Sequence, residues 1–442
     1  MSDITPTNEQ TKAIRMIAIW FKSKPRTPFI LGGYAGVGKA QPLYSKILSK
    51  NGYVEMKDIH VGDEIFGEDG NLHQVTGIHP QGTKDIYELE FSNGEIARCC
   101  DDHLWTYQTK NMRDYHKQFA TSTLKEIMDI PLFYERRCKK SKNGTAKAWN
   151  IYIPMTSPVN FKESYLQIPP YIFGLFLGEG GFTNGTVKFT NPEPDIICAV
   201  SSFCEENGLK CNEIKGTGFS YTITDPNANR SVPNWFTHCL RAMGLYGLRS
   251  DKKFIPDQYK FNSVQNRIDL LSGLIDSDGE IAKGASYVFS STSLRLIKDI
   301  EFLVESLGGT SGFEQRQTRF NDNNGEKKNG LVSYRLNIKM PRTIQAFKST
   351  KHKTKFKKGQ TEARRTLRKI TYVGKEECQC ITTNNPTGLY LTDHCIVTHN
   401  STIIPFIVDF LQLQQHQVHF CAYIGKNKLD AFINFQRFFK TS

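Results

Sequence analysis

Residues 33–42 read Gly33-Tyr-Ala-Gly36-Val-Gly38-Lys39-Ala40-Gln-Pro42, and residues 398–405 read Thr398-His399-Asn400-Ser401-Thr402-Ile-Ile-Pro405. The first stretch has the G-x-x-x-x-G-K spacing of a loop whose backbone N–H groups close around phosphate. It comes after Thr27-Pro-Phe-Ile-Leu-Gly32, which reads as a short strand entering a glycine turn. Such a loop should continue into Ser or Thr at the start of a helix, where the hydroxyl holds Mg²⁺. Here Ala40, Gln41 and Pro42 come next instead. The missing part stands at Ser401-Thr402, which opens the helical run IIPFIVDFL. Joining Lys39 to Ser401 restores GYAGVGKST and a strand–loop–helix unit. Residues 40–400 therefore read as an interruption, and a chance GxxxxGK is the weaker account.

The residues before the second junction point the same way. The amide nitrogen of an asparagine can attack its own carbonyl and release the chain on its C-terminal side. A preceding histidine can serve that step as acid or base. Asn400 stands directly after His399, and Ser401 can first carry an acyl group as an ester. This is the chemistry of self-excision. Composition is compatible with it: 57 Lys+Arg against 44 Asp+Glu give a net charge of +13, which favours polyanionic partners. With 38% hydrophobic and 12% aromatic residues, the chain is not disordered. No apolar run is long enough to span a bilayer, and the eleven cysteines suit a soluble protein of the reducing cytoplasm. From about 43 to 107, and again over 370–398, short strand-like runs dominate. Helical and strand segments alternate from about 165 to 350. A basic run, 348–369, comes next with Glu362 as its one acid.

The segment 40–400 resembles an intein. GYVEMKDIHVGDEI (52–65) looks like the opening of an all-β, horseshoe-shaped Hint splicing domain, and LYLTDHCIVTHN (389–400) like its close. One departure matters: most inteins begin with Cys or Ser, and Ala40 has no nucleophile. NGEIARCCDDHLWTY (93–107) puts His103 where inteins carry the histidine that activates the first junction. It puts Cys100 where they usually have Thr, and it supplies Trp105. With Cys380 and Thr398, this is similar to the Trp–Cys–Thr signature of class 3 inteins, in which an internal cysteine attacks the N-terminal junction. The resemblance implies that Cys380 forms the first acyl intermediate, Trp105 and Thr398 shape its site, and His103 protonates the leaving amine. His399, Asn400 and Ser401 would then complete splicing. On residue types alone Trp105 is more often core, Cys100 suits a small buried hydrophobe, and Cys378 competes with Cys380 as nucleophile.

Two further segments share a pattern: YIFGLFLGEG (171–180) and LSGLIDSDG (271–279). Each is an apolar helical run with small residues on one face and a carboxylate, Glu179 or Asp278, at its end. Small residues let two helices approach closely, and two acids brought together suit Mg²⁺ on a scissile phosphate. The second segment resembles the LAGLIDADG motif almost letter for letter, the first more loosely. The family implies an α/β homing endonuclease acting on double-stranded DNA, with Glu179 and Asp278 as metal ligands. Lys253, in KKFIP, matches the lysine that these enzymes place near the cut, and Lys339 is a weaker counterpart. The basic run 348–369 reads as a phosphate-contacting flank or linker.

The outer pieces resemble the start of a superfamily 1 DNA helicase, with Gln10 at the adenine-reading position, and a phage terminase is another option. Gly33, Gly36, Gly38, Lys39, Ser401 and Thr402 would bind ATP and Mg²⁺ after splicing. The expected organisation is an N-extein at 1–39, splicing-domain parts at 40–150 and 351–400, the endonuclease at 151–350 and a C-extein at 401–442. The interrupting segment is expected to act as a monomer. Its DNA would be the allele of the host gene that lacks the insertion. Two rival readings stay open: a P-loop ATPase with a permanent DNA-binding insertion, and a splicing-dead intein acting only as a nuclease.

Overall fold

A computed structural model describes residues 40–137, 145–183, 185–229, 234–282, 286–321, 326–356 and 363–400. Gly33, Gly36, Gly38, Lys39, Gln10, Ser401 and Thr402, with the flanking helices expected at 8–24 and 401–415, lie outside these residues. Chain contacts separate two units: residues 155–364 form one, and the described residues on either side form the other.

The outer unit is built on a twelve-stranded antiparallel sheet. Its spine is a pair of long strands, β1 (Leu72–Phe91) and β4 (Arg365–Thr383), paired from Val75↔Thr383 to Phe91↔Leu367. Ladders of this length bend only if residues are inserted, and register shifts interrupt this one at four places. One lies between Cys378 and Gln379. Opposite it, Gly82 (φ 64°) pairs with Cys378 and Pro80 with Gln379, so Gln81 is the extra residue. Strands β2 (Ile96–Cys100), β3 (Leu104–Thr109), β5 (Leu389–Thr392) and β6 (Ile396–His399) complete the parts that matter for chemistry. α-Helices are confined, among the described residues of this unit, to Lys110–Asp114 and Leu124–Met128. The all-β expectation agrees with this.

The turn into β6 is strained. His394 (φ 57°) and Cys395 (φ 49°) both adopt left-handed backbone, which non-glycine residues rarely do. The buried Arg365 holds them: its guanidinium donates to the carbonyls of His394 (2.9 Å) and Cys395 (3.3 Å) and pairs with Glu95 at 2.5 Å. The start of β4 thereby sets the path of the strand that ends at Asn400.

The inner unit is α/β and internally repeated. Helix α1 (Pro170–Glu179) runs into strands 180–181, 187–190, 210–213 and 220–224, with helix Pro194–Glu206 between the second and third. Helix α2 (Val264–Asp278) runs into strands 279–281, 287–291, 310–321 and 327–339, with helix Leu294–Ser306 in the same place. Both four-stranded sheets take the order first, second, fourth, third. Helix α1 starts on Pro170 at its first position, where the missing N–H costs nothing. Ser263 caps α2 by accepting from the Asn266 N–H. Residues 172–177 of α1 are all buried, as in a helix enclosed on every side.

The two helices pack through glycine. A Cβ added at Gly174 would lie 2.3 Å from the Leu270 carbonyl oxygen, and one at Gly273 would lie 2.1 Å from that of Tyr171. Any side chain at either position would hold the backbones apart. The basic run is not one element here. Its first part enters helix Thr350–Lys355 of the inner unit, and from Arg365 it is strand β4 of the outer unit.

Candidate active sites

The sheet of the outer unit gathers the junction residues. Gln41 and Pro42 form a short strand paired with Gln379 and Cys378 on β4. The paired residues end there, with Ala40 and Cys380 next along the two segments. Ala40 is fully buried, packed with Ile86, Cys100 and Cys378. Its N–H donates to Cys100 Sγ at 3.3 Å, and its carbonyl accepts from the Cys100 N–H at 3.1 Å. At the other end, β6 pairs with β5 so that Tyr390 faces Thr398. The Tyr390 hydroxyl donates to Gln41 Oε1 at 2.7 Å. One side chain thus links the first strand of segment 40–400 to the strand paired with its last.

His103 and Thr398, 295 residues apart, meet with Nε2 and Oγ1 at 2.6 Å, both fully buried. The Trp105 ring stands edge-on to His103, with centroids 5.6 Å apart. Trp105 also packs in the core against Phe91, and its N–H donates to Cys99 Sγ at 3.4 Å. Burial raises the Cys99 and Cys100 thiols, the latter partly offset by the Ala40 N–H, and pushes Cys378 up to about 12. These thiols stay protonated near neutral pH. Cys380 is buried on the same strand, its Sγ 3.5 Å from the Ile381 carbonyl oxygen.

At Asn400, His399 Nδ1 lies in a short contact with the Asn400 carbonyl oxygen. In the tautomer that carries hydrogen on Nδ1, this polarises the carbonyl that the Asn400 amide must attack. That amide nitrogen donates to Thr383 Oγ1 at 3.1 Å, and the Asn400 N–H donates to the Gly388 carbonyl at 2.7 Å. Sequence reasoning missed Cys99, Tyr390, Gln41 and Thr383, because their roles come from strand pairing that no local motif announces.

The inner unit brings Glu179 and Asp278 to the ends of α1 and α2. Close packing makes them neighbours: a Cβ on Gly178 would sit 3.3 Å from Asp278 Oδ2. Burial, then the Asp278 charge, pushes Glu179 up to about 7, although Asn191 Nδ2 donates to its Oε2. Burial also raises Asp278. Two adjacent carboxylates that resist ionisation fit a hard divalent cation, which would relieve both costs. A cavity of about 230 Å³ beside Asp278 is lined by Gly178, Lys253, Ser290, Ser291 and Ser333 among others.

Lys253 is placed differently from a solvated active-site lysine. Its ammonium is buried and donates to the carbonyls of Phe176 (3.3 Å), Leu177 (2.9 Å), Gly178 (3.1 Å) and Gly180 (2.7 Å). The carbonyls of Leu177 and Gly178 belong to the last turn of α1, and that of Phe176 also accepts from the Gly180 N–H. Burial pulls Lys253 down to about 8, against the opposing pull of Asp278 and Glu179. Lys339 is exposed at the end of its strand.

Asp276, inside the second motif, was not singled out from the sequence. Its buried carboxylate accepts from Tyr171 Oη (3.0 Å), the N–H groups of Lys348 (2.6 Å) and Ser349 (2.9 Å), Ser349 Oγ (2.6 Å) and His352 Nδ1 (2.9 Å). Burial alone would raise its pKa, but these donors outweigh it and hold the carboxyl below its ordinary value.

Residues 266–351 match the family model of the LAGLIDADG-like domain. This part of the chain is similar to that domain. The matched span contains α2, the sheet after it and the segment latched by Asp276. The replicative DNA helicase DnaB of Mycobacterium intracellulare is 26% identical over 385 residues, covering 85% of this chain and 60% of that protein. This chain thus spans about 60% of the length of that relative. The match extends well beyond the two flanks, so most of it falls within residues 40–400. Among solved structures, the MchDnaB-1 intein is 32% identical over 16% of this chain and 54% of that chain, with a TM-score of 0.15. I-DmoI, in complex with DNA and Ca, is 13% identical over 38% of this chain and 81% of that chain, with a TM-score of 0.26. With the junction geometry, the family match and the DnaB relative support an intein carrying a LAGLIDADG endonuclease in a DnaB-like host. No helix among the described residues is long and apolar enough to cross a membrane.

Proposed function

We propose that the chain is a precursor that excises residues 40–400 and joins Lys39 to Ser401. The observation that carries this reading is the meeting of the segment's two ends, through Tyr390, Gln41 and the His103–Thr398 contact, in one buried site. Cys380 would attack the Lys39 carbonyl, with Thr398 and Trp105 holding His103 beside it. The acyl group would pass to Ser401. His399 would polarise the Asn400 carbonyl while the Asn400 amide closes on it and frees the segment. The restored loop, Gly33, Gly36, Gly38, Lys39, Ser401 and Thr402 with Gln10, would bind ATP and Mg²⁺ in the helicase-like host.

The inner unit would hydrolyse double-stranded DNA at the uninterrupted allele, where the codons of Lys39 and Ser401 are contiguous. Mg²⁺ held by Glu179 and Asp278 would supply charge neutralisation at the scissile phosphate. Lys253 would hold the end of α1, and with it Glu179, in place. The 26% identity to a replicative helicase favours a helicase host over the terminase option.

Mass spectrometry on freshly expressed protein tests the first part. It should show a free 40–400 product and a ligated product containing the peptide GYAGVGKST. An intact chain, or a different junction, refutes the boundaries. Offering the joined and the interrupted DNA to the protein with Mg²⁺ tests the second part: cutting should be confined to the joined duplex, and Asp278→Asn should abolish cutting while keeping binding.

A further inference from the structure

At the second junction the attacking amide nitrogen and the carbonyl carbon it attacks both belong to Asn400. A primary amide is a weak nucleophile, because its nitrogen lone pair is delocalised into its own carbonyl, and an unrestrained side chain samples several rotamers. Ring closure therefore depends on how the side chain is held. Asn400 is buried and tied at two points: its N–H donates to the Gly388 carbonyl at 2.7 Å, and its Nδ2 donates to Thr383 Oγ1 at 3.1 Å. The first contact fixes the backbone, and the second fixes the side chain against it. Thr383 is the last residue of β4, and its Oγ1 also accepts from the Asn385 N–H at 3.3 Å. The buried Asn385 keeps the loop after β4 in shape. Its Oδ1 accepts from the N–H (3.2 Å) and hydroxyl (3.0 Å) of Thr387, and its Nδ2 donates to the Leu389 carbonyl at 2.7 Å. The Gly388 N–H closes the turn on the Asn385 carbonyl at 3.0 Å. One short segment, 383–388, thus supplies both contacts to Asn400.

We propose that Thr383 is a catalytic residue of the second step, its hydroxyl oxygen orienting the Asn400 side-chain amide for attack on the Asn400 carbonyl. The proposal rests on the splicing reading above. An acceptor that holds an N–H lies in the amide plane, so it leaves clear the faces of that plane, where the nitrogen orbital used for attack lies. It also draws the hydrogen towards oxygen and leaves more electron density on nitrogen. His399 Nδ1 is engaged with the backbone carbonyl oxygen of Asn400, so nucleophile and electrophile are held by separate side chains. In the step, the bond from Nδ2 to the Asn400 carbonyl carbon forms and the C–N bond to Ser401 breaks. The electron pair of the broken bond stays on the Ser401 nitrogen. Nδ2 sheds one proton and the Ser401 nitrogen gains one, so the freed segment ends in a succinimide with no net gain or loss of protons.

The test uses the full chain and follows release of the 40–400 segment by mass spectrometry. Thr383→Val, matched in shape but with no acceptor, should slow that release on the order of 100-fold, the usual cost of a misplaced reacting group. The branched ester, in which Ser401 Oγ carries residues 1–39, should accumulate, and added hydroxylamine should free those residues. That hydroxylamine-sensitive cleavage reports the first junction and, with it, the fold. Thr383→Ser keeps the hydroxyl and should restore release. Release at the parental rate in Thr383→Val overturns the proposal and leaves splicing standing. Slow release in Thr383→Ser, with hydroxylamine cleavage intact, also overturns it, because side-chain shape and not the hydroxyl would then govern the step. If Thr383→Val loses cleavage at both junctions through misfolding, Thr383→Ser decides alone. Absence of cleavage at either junction in the unsubstituted chain refutes the splicing reading itself, a result distinct from all of these.

Discussion

The contact between α1 and α2 can be tested with one methyl group. In Gly273→Ala the new Cβ would lie 2.1 Å from the Tyr171 carbonyl oxygen, 2.9 Å from the Leu175 nitrogen and 3.0 Å from the Gly174 Cα. All three are backbone atoms of the facing helix, so no rotamer change can relieve the overlap. Ordinary contact requires the two axes to separate by on the order of 1 Å. Forcing an extra carbon into a close-packed core costs about 1–3 kcal/mol. Alanine recovers up to about 1 kcal/mol of helix propensity over glycine, leaving a net loss of roughly 0–2 kcal/mol at full recovery. The functional cost should exceed the stability cost. Glu179 and Asp278 end these same helices, and a displacement of about 1 Å in an aligned site costs on the order of 100-fold in rate. Denaturant melts and cleavage of the joined-allele duplex at saturating Mg²⁺ give the two readouts. Gly181→Ala is the control, because its Cβ would meet nothing closer than 3.6 Å. An unchanged midpoint together with unchanged cleavage in Gly273→Ala would refute the packing argument.

Three further outcomes concern the same unit. Divalent-ion binding should weaken as the pH falls through about 7, since Glu179 is raised that far by burial and must ionise to bind; calorimetry with Ca²⁺ on either side of that pH checks it, and a flat affinity counts against Glu179 as a ligand. Lys253→Met leaves the carbonyls at the end of α1 without their donor, and should cost about 1–3 kcal/mol in a denaturant melt. Asp276→Ala removes the acceptor shared by Tyr171, Lys348, Ser349 and His352, and should strip amide-exchange protection from residues 348–352. Because Asp276 is held below its ordinary pKa, the stability it contributes is present above the unfolded value of about 3.9 and is lost as pH falls through its lower folded value.

Features within one turn or one strand of a distinctive residue were legible in the sequence. GLIDSDG announces a close-packed helix ending in a carboxylate, and α2 has that form because Gly273 and Asp278 sit on a single helix. The break after Lys39 was legible because the two halves of a phosphate loop have strict local spacing. Asp276 shows the limit. It lies in the most recognisable motif of the chain, yet its role depends on residues 348–352, brought to it by an entire intervening sheet and helix. Lys253 shows the same limit in another form. Its place before the FIP turn was visible, but the number of carbonyls around its ammonium is a property of where α1 ends in space.

The first junction sharpens this point, since there the resemblance gave each residue a role but not its surroundings in the fold. His103 touches both Trp105 and Thr398, with β5 paired to β6 and His103 just before β3. Cys100 was visible as a Thr replacement, with a small buried hydrophobe as its alternative. Its contact with the Ala40 nitrogen is made where the two-residue strand 41–42 joins β4, beside a register shift whose extra residue lies on β1. A bulge re-aims side chains without leaving a mark on hydrophobic periodicity. Cys378 and Cys380 are equivalent by alternation, since both belong to one face of an unbroken strand. The extra residue at that shift is Gln81 on β1, so β4 keeps its alternation there and only the neighbours of the two cysteines differ. Cys378 packs on Ala40, Ile86 and Cys100, where burial pushes its thiol to about 12 and disfavours the thiolate needed for attack. Cys380 is the nucleophile that the class 3 resemblance implies, and Cys380→Ala against Cys378→Ala is the direct comparison. The first should abolish hydroxylamine-sensitive cleavage at Lys39, and the second should leave it. Equal loss in both would mean that their different neighbours do not divide their roles.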